Sequence, residues 1–329
     1  MSHKESNKNT NILLAERGKL TRAFWSASEE TEYNRDHLSR HRLREWEQFQ
    51  LLGGNYVFRL LFGHFGSVGL CRAAFTDLST GEYSISGPIK VFSGDAYYLD
   101  HSLSQPYHFL RDEGGFFLSL DFDGDFYRLR CRTESFDVEL MLPHSGDMLI
   151  SAAPFRQSRK FFYAGREVFP ELRGSVQFNG REYELTDAFA ARESCRGVLP
   201  KKCSRVYCSG SQLKDGHSLS FVFGWGFGYM GAGLENGLFV DGTLVKLNRV
   251  REARKGSFMT PSRFRSEDGS VDLRFTPKRD ELFARDYRLL YFRSHCTVGT
   301  VSGTIQLRGV GELQIENMPV LCEHSRFCF

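Results

Sequence analysis

Apolar and polar residues alternate over short runs along most of the chain, and the runs are cut by turn residues. "YVFRLLFGHF" (56–65) and "VGLCRAAFTDL" (68–78) are rich in β-branched and aromatic residues, and "LSTGE" (78–82) closes them as a turn. "FFLSLDFDGDFYRLRC" (116–131) reads as a hairpin with Asp123-Gly124 at its tip. Three more hairpins are predicted: 174–185 around Asn179-Gly180, 236–247 around Asp241-Gly242, and 263–277 around Asp268-Gly269. The last runs, "DYRLLYFRSHCTVGTVSGTIQL" and "GELQIENMPVLCEHSRFCF", have the same texture. A helical period is almost absent, so the expected class is all-β: antiparallel strands closed as barrels or sandwiches. The highly charged 29–45 segment holds one helix or an irregular arm. The organisation read from the pattern is an N-terminal arm over 1–45, a first β unit over 46–168 and a second over 169–329, with no long internal repeat.

One stretch departs from simple alternation. In "FVFGWGFGYMGAG" (221–233), residues 226–231 spell G-x-G-x-x-G. A dinucleotide cradle needs a helix after its glycines, and the glycines at 233, 237 and 242 exclude one. The expected element is a strongly curved strand on which Trp225, Phe227 and Tyr229 share one face. That face is either solid core or a pocket wall. On the second reading it lies in the second β unit, with Glu235 and Asn236 at its polar end and burial raising the Glu235 pKa.

Composition narrows the partners. Of 329 residues, 41% are hydrophobic and 25% charged, as expected of a chain that buries a core. Aromatics reach 14%, with 30 Phe, which suits many short strands or a ring-lined cavity. A net charge of +3 is too small to imply nucleic acid, and the basic run 249–265 reads as a solvated loop. The eight cysteines show no C-x-x-C spacing, so all are expected to be reduced thiols binding no metal. The N-terminal sequence lacks a signal-peptide pattern, and no window approaches a membrane span. A cytoplasmic location is expected.

Most chemical motifs fail on context. "DFDGD" (121–125) would need a Glu at position 132 to be a calcium loop, and 132 is Arg. His37 and His41 lack a third ligand. G-x-S-x-G and Walker patterns are absent. The remaining acid–base candidates are polar residues set inside apolar runs: His64 in "LLFGHFG", Glu235-Asn236, and Glu323-His324.

Several segments resemble the domain of unknown function 2804 family. "ENGLFVDGTLVKL" (235–247), "FMTPSRFR" (258–265), "DGSVDLRFTP" (268–277) and "CEHSRF" (322–327) carry the C-terminal half of the resemblance. "RGKL" (17–20), "REWEQF" (44–49), "YVFRLLFGHFGSVGL" (56–70), "TDLSTGE" (76–82) and "CRGVLP" (195–200) carry the rest. This chain departs from the pattern at Arg205 and Tyr207, near Phe258 and Ser262, and near Phe49, where aromatic residues, usually Trp, are expected. The pattern is similar to carotenoid hydratase-like and tocopherol cyclase-like proteins. It implies two lipocalin-like antiparallel barrels, or strongly curved sheets, packed together around a hydrophobic ligand.

Three readings follow: a binding protein for a hydrophobic small molecule, an enzyme (hydratase, isomerase or cyclase) acting on a lipid-like or terpenoid substrate by acid–base chemistry, and a scaffold without ligand. Glu235, His64 and His324 are the candidate proton donors. The candidate ligand-binding residues are Trp46, Arg196 and Glu323 from the motifs, with Trp225, Phe227, Tyr229, Glu235 and Asn236 from the glycine-rich stretch. No metal or cofactor is expected.

Overall fold

The computed structural model describes residues 11–144, 146–229, 235–286, 291–307 and 311–328. Its strands pair antiparallel, and the helical elements among the described residues are two 3-10 turns, Glu16–Gly18 and Arg40–Arg42. The charged arm is therefore irregular rather than helical. The predicted hairpins form where the turn chemistry allows them. Asn179 and Gly180 have φ of 50° and 75°, and Asp241 and Gly242 have 49° and 79°. Both pairs adopt the left-handed conformation a two-residue turn needs, which Asn, Asp and Gly tolerate best.

Three large sheets stack around three layers of core. A six-stranded sheet runs in the order Arg181–Tyr183, Arg173–Phe178, Phe136–Pro143, Phe126–Arg132, Phe116–Phe122 and Tyr107–Glu113. A nine-stranded central sheet faces it and contains, side by side, Phe161–Phe169, Phe189–Val198, Arg44–Leu52, Tyr56–Phe65 and Val68–Asp77. Phe58, Phe62 and Phe75 from the central sheet meet Phe136, Phe109 and Phe178, with ring centroids 5.9, 4.3 and 4.6 Å apart. Burying each such ring contributes about 2–3 kcal/mol.

The third sheet, also nine-stranded, has Lys202–Lys214, Gly311–Cys328 and Tyr291–Leu307 at its middle. It curls on itself, so that Phe223 from one side meets Phe264 from the other at 5.8 Å. Its opposite face covers the central sheet, where Tyr207, Val222 and Leu321 join Leu52, Val57 and Phe189 in one cluster. The central sheet is thus covered on both faces. That explains why Phe189–Val198 is buried at every position rather than at alternate ones.

Three expectations are corrected. The sequence reading divided the β units at 168/169, but the strands up to Val198 belong to the first two sheets and the third begins at Lys202. The glycine-rich strand ends at Trp225; Gly226 and Gly228 follow with φ of 83° and 70° and turn the chain away. Residues 230–234, including Met230, Gly231 and Gly233, lie outside the described residues. Not all cysteines are thiols: Cys208 and Cys322 form a disulfide. They sit directly opposite each other on neighbouring strands inside the third sheet's core. A separation of 114 residues hid that pairing.

Candidate functional site between the central and third sheets

The strand Arg44–Leu52 has two buried faces, and its alternation assigns each side chain to one of them. Glu45, Glu47, Phe49 and Leu51 point toward the six-stranded sheet. Trp46, Gln48, Gln50 and Leu52 point toward the third sheet. Phe161–Phe169 and Phe189–Val198 divide in the same way. Two charged networks therefore lie back to back across one sheet.

The network toward the six-stranded sheet is mutually paired. Arg192 binds Glu47 at 2.9 Å and Glu167 at 2.8 Å. Arg196 and Ser194 bind the other Glu47 oxygen at 2.9 and 2.6 Å. Buried charges persist only when paired in this way, and the arrangement braces the first core.

The second network lines the space between the central and third sheets. Glu235 accepts from Arg166 at 2.5 Å, and Arg166 also binds Glu193 at 3.0 Å. Glu193 is shared with Arg205 and with the Trp46 Nε1–H, the latter at 3.3 Å. Arg205 donates to Gln48 at 2.5 Å, and Gln48 donates to Glu323. Glu323 further accepts from Gln50 at 2.9 Å, Ser294 at 2.7 Å and Ser325 at 2.9 Å. The result is a buried ladder from Glu235 to Glu323.

The two ends differ electrostatically. Burial raises the pKa of Glu235, and the opposing charge of Arg166 does not cancel it. Burial also opposes ionisation of Glu323, but Arg205, Arg59 and the hydroxyl and amide donors outweigh it and hold its pKa below the usual range. Around Glu235, three buried polar atoms have no hydrogen-bond partner among the described residues: Glu235 Oε2, Asn236 Nδ2 and the Tyr207 hydroxyl. Gly224 explains their closeness. It lies opposite Tyr207, donates its N–H to Asn236 at 3.2 Å, and has Glu235 2.8 Å from where its Cβ would stand.

At the Glu323 end the ladder opens into a cleft with about 60 Å³ of free space, walled by Trp46, Phe65, Phe283, Phe292 and Phe327 and edged by Arg59, Arg72 and Arg205. Trp46 stacks on Phe65 at 5.9 Å and meets Phe327 at 6.2 Å. The Arg205 guanidinium lies over Trp46 at 5.3 Å.

The structure gathers some of the sequence-derived candidates and disperses others. Trp46 and Glu323 line the cleft; Phe227 backs Trp46 at 6.3 Å; Glu235 and Asn236 hold the buried end of the ladder. Arg196 lies across the central sheet, in the other network. Trp225 faces the inside of the third sheet, away from Glu235, with Phe264 at 6.1 Å and His324 at 6.2 Å. His324 stands 3.2 Å from Glu252. His64 meets the Tyr98 hydroxyl at 3.0 Å, and burial lowers its pKa. Tyr229 is 62% exposed. Sequence reasoning missed Gln48, Arg59, Arg166, Glu193 and Arg205. The one signal was charge within β-like runs such as "FAARESCRGV". Among the described residues, no set of His, Cys, Asp and Glu fit to hold a metal converges, and no helix is long and apolar enough to cross a membrane.

Curved antiparallel sheets enclosing an aromatic-walled cleft define a lipocalin-like all-β protein. The chain belongs to the DUF2804 family, a domain of unknown function, whose model matches residues 3–328. No curated protein matches the sequence. Among solved structures, that of CghA with Sch210972 superposes with a TM-score of 0.50 at 9% identity, covering 88% of each chain. Kievitone hydratase from Nectria haematococca gives 0.48 at 10% identity, covering 85% of this chain and 88% of its own. At such identities the likeness is one of fold.

Proposed function

We propose that the protein binds a hydrophobic small molecule in the cleft between the central and third sheets. One observation carries the reading: an aromatic wall built on Trp46 adjoins a buried carboxylate, Glu323, held ionised by its neighbours. Ligand sites combine an apolar wall with a few placed polar groups in this manner. CghA, which shares the fold, was crystallised with the compound Sch210972, which supports small-molecule binding as a use of this architecture.

A second reading, an acid–base enzyme of hydratase, isomerase or cyclase type, is favoured by Glu235. Its raised pKa and its Oε2, unpartnered among the described residues, suit a carboxylic acid that holds its proton more tightly than an exposed carboxyl does. In this reading Glu235 supplies the proton and the ladder holds the rest of the site in place.

The test is mass spectrometry of the organic extract from purified protein, compared with a folded Trp46→Ala variant. The expected result is a lipid-like compound in near-stoichiometric amount from the wild type and its loss from the variant. Equal recovery from both proteins would place binding elsewhere. A wild type with no extractable compound would favour the scaffold reading.

A further inference from the structure

The cleft is unevenly charged. Guanidiniums of Arg59 and Arg205 reach its lining beside one carboxylate, Glu323, while the carboxylates nearest those two cations, Glu281 and Glu193, are not part of the lining. Glu323 already accepts from Gln48, Gln50, Ser294 and Ser325. Arg59 has Glu281 at 3.6 Å, beyond hydrogen-bonding distance.

Arg205 is bound to Glu193 and donates to Gln48. It is 4% exposed, and its Nε–H has no acceptor among the described residues. Its carboxylate partner, Glu193, is shared with Arg166. Its guanidinium plane lies over Trp46 and Phe327, at 5.3 and 5.8 Å. A buried donor without an acceptor destabilises the fold, and an oxyanion in the cleft would remove that cost.

We infer that the occupant of this cleft is an amphipathic anion: a flat apolar body against the part-exposed rings of Phe283 and Phe292, carrying a carboxylate or comparable oxyanion that accepts from Arg205, with Arg59 adding positive potential. The inference rests on the binding function proposed above and specifies its ligand class. Guanidinium suits the role because it presents planar, paired donors and stacks on rings at the same time.

The test is calorimetric titration of the full-length wild type with 2-naphthoate and with 2-naphthylmethanol, its neutral counterpart. The naphthoate is expected to bind at least about tenfold more tightly, as one charge-assisted pair provides. Arg205→Met is expected to reduce that preference to less than about twofold while the alcohol still binds. Because that variant leaves Glu193 with Arg166 as its remaining cation, it could fail to fold; the wild-type comparison does not depend on it. Equal binding of the two probes, or a preference for the alcohol, would overturn the anion assignment and leave the binding function standing. A naphthoate preference that persists in folded Arg205→Met would also overturn it. Failure of both probes to bind would overturn both.

Discussion

Glu323 and Glu235 end the same ladder, yet their surroundings push them in opposite directions. Glu323 accepts from four side chains, whereas Glu235 is bound by Arg166 alone among the described residues, and there burial outweighs the nearby cations. Removing Glu323 strands the donors of Gln48, Gln50, Ser294 and Ser325 together, so Glu323→Ala is expected to cost about 3 kcal/mol or more in denaturant unfolding. Its lowered pKa stabilises the fold above the ordinary carboxylate range, and that stability is lost as pH falls through the folded value. Glu323→Gln should therefore flatten the acid side of the stability curve. Glu235 has the reverse sign. Its raised pKa stabilises the fold fully below the ordinary range, and the contribution is lost as pH rises through the folded value. Glu235→Gln is expected to lose less urea midpoint than the wild type as pH rises above the ordinary carboxylate range. Trp46, Glu235, Asn236 and Glu323 were legible in the sequence because each interrupts an apolar run or sits in a family motif. Their partners were not. Gln48 reaches Glu323 across 275 residues and Arg166 reaches Glu235 across 69, and neither distance leaves a local pattern.

At the scale of the strand, the hairpins were readable because Asn-Gly and Asp-Gly act through their own backbones. The glycine-rich stretch was harder, since its glycines serve different ends. Gly224 admits a neighbouring side chain, whereas Gly226 and Gly228 turn the chain. Gly63 is another close-approach position. It pairs with Trp46, has φ of 151°, and its Cβ would stand 2.1 Å from the Glu45 carbonyl oxygen. Gly63→Ala is expected to cost about 3 kcal/mol or more, since backbone rather than a movable side chain must give way. Gly180→Ala, at a hairpin tip with open space around it, should cost about 1–2 kcal/mol. Thermal melts of the two variants provide the comparison.

For the molecule as a whole, the all-β class was visible in the period-two pattern, but the order of strands was not. The strand at 161–169 falls between the two stretches that build the six-stranded sheet and the strand at 189–198 follows the second, and nothing local shows that they return to join Arg44–Leu52. The disulfide escaped notice for the same reason. Alkylating the unfolded, unreduced protein should label six cysteines, and eight after reduction. Eight labels without reduction would refute the Cys208–Cys322 bond. The return of the chain also bears on biosynthesis. Phe189–Val198 fills the gap between Phe161–Phe169 and Arg44–Leu52, so a nascent chain carries two unpaired, largely apolar strand edges until residue 198 leaves the ribosome. Such edges recruit other chains. A fragment ending at residue 168 is expected to precipitate when expressed alone, and slow translation between residues 170 and 198 should lower the yield of soluble protein.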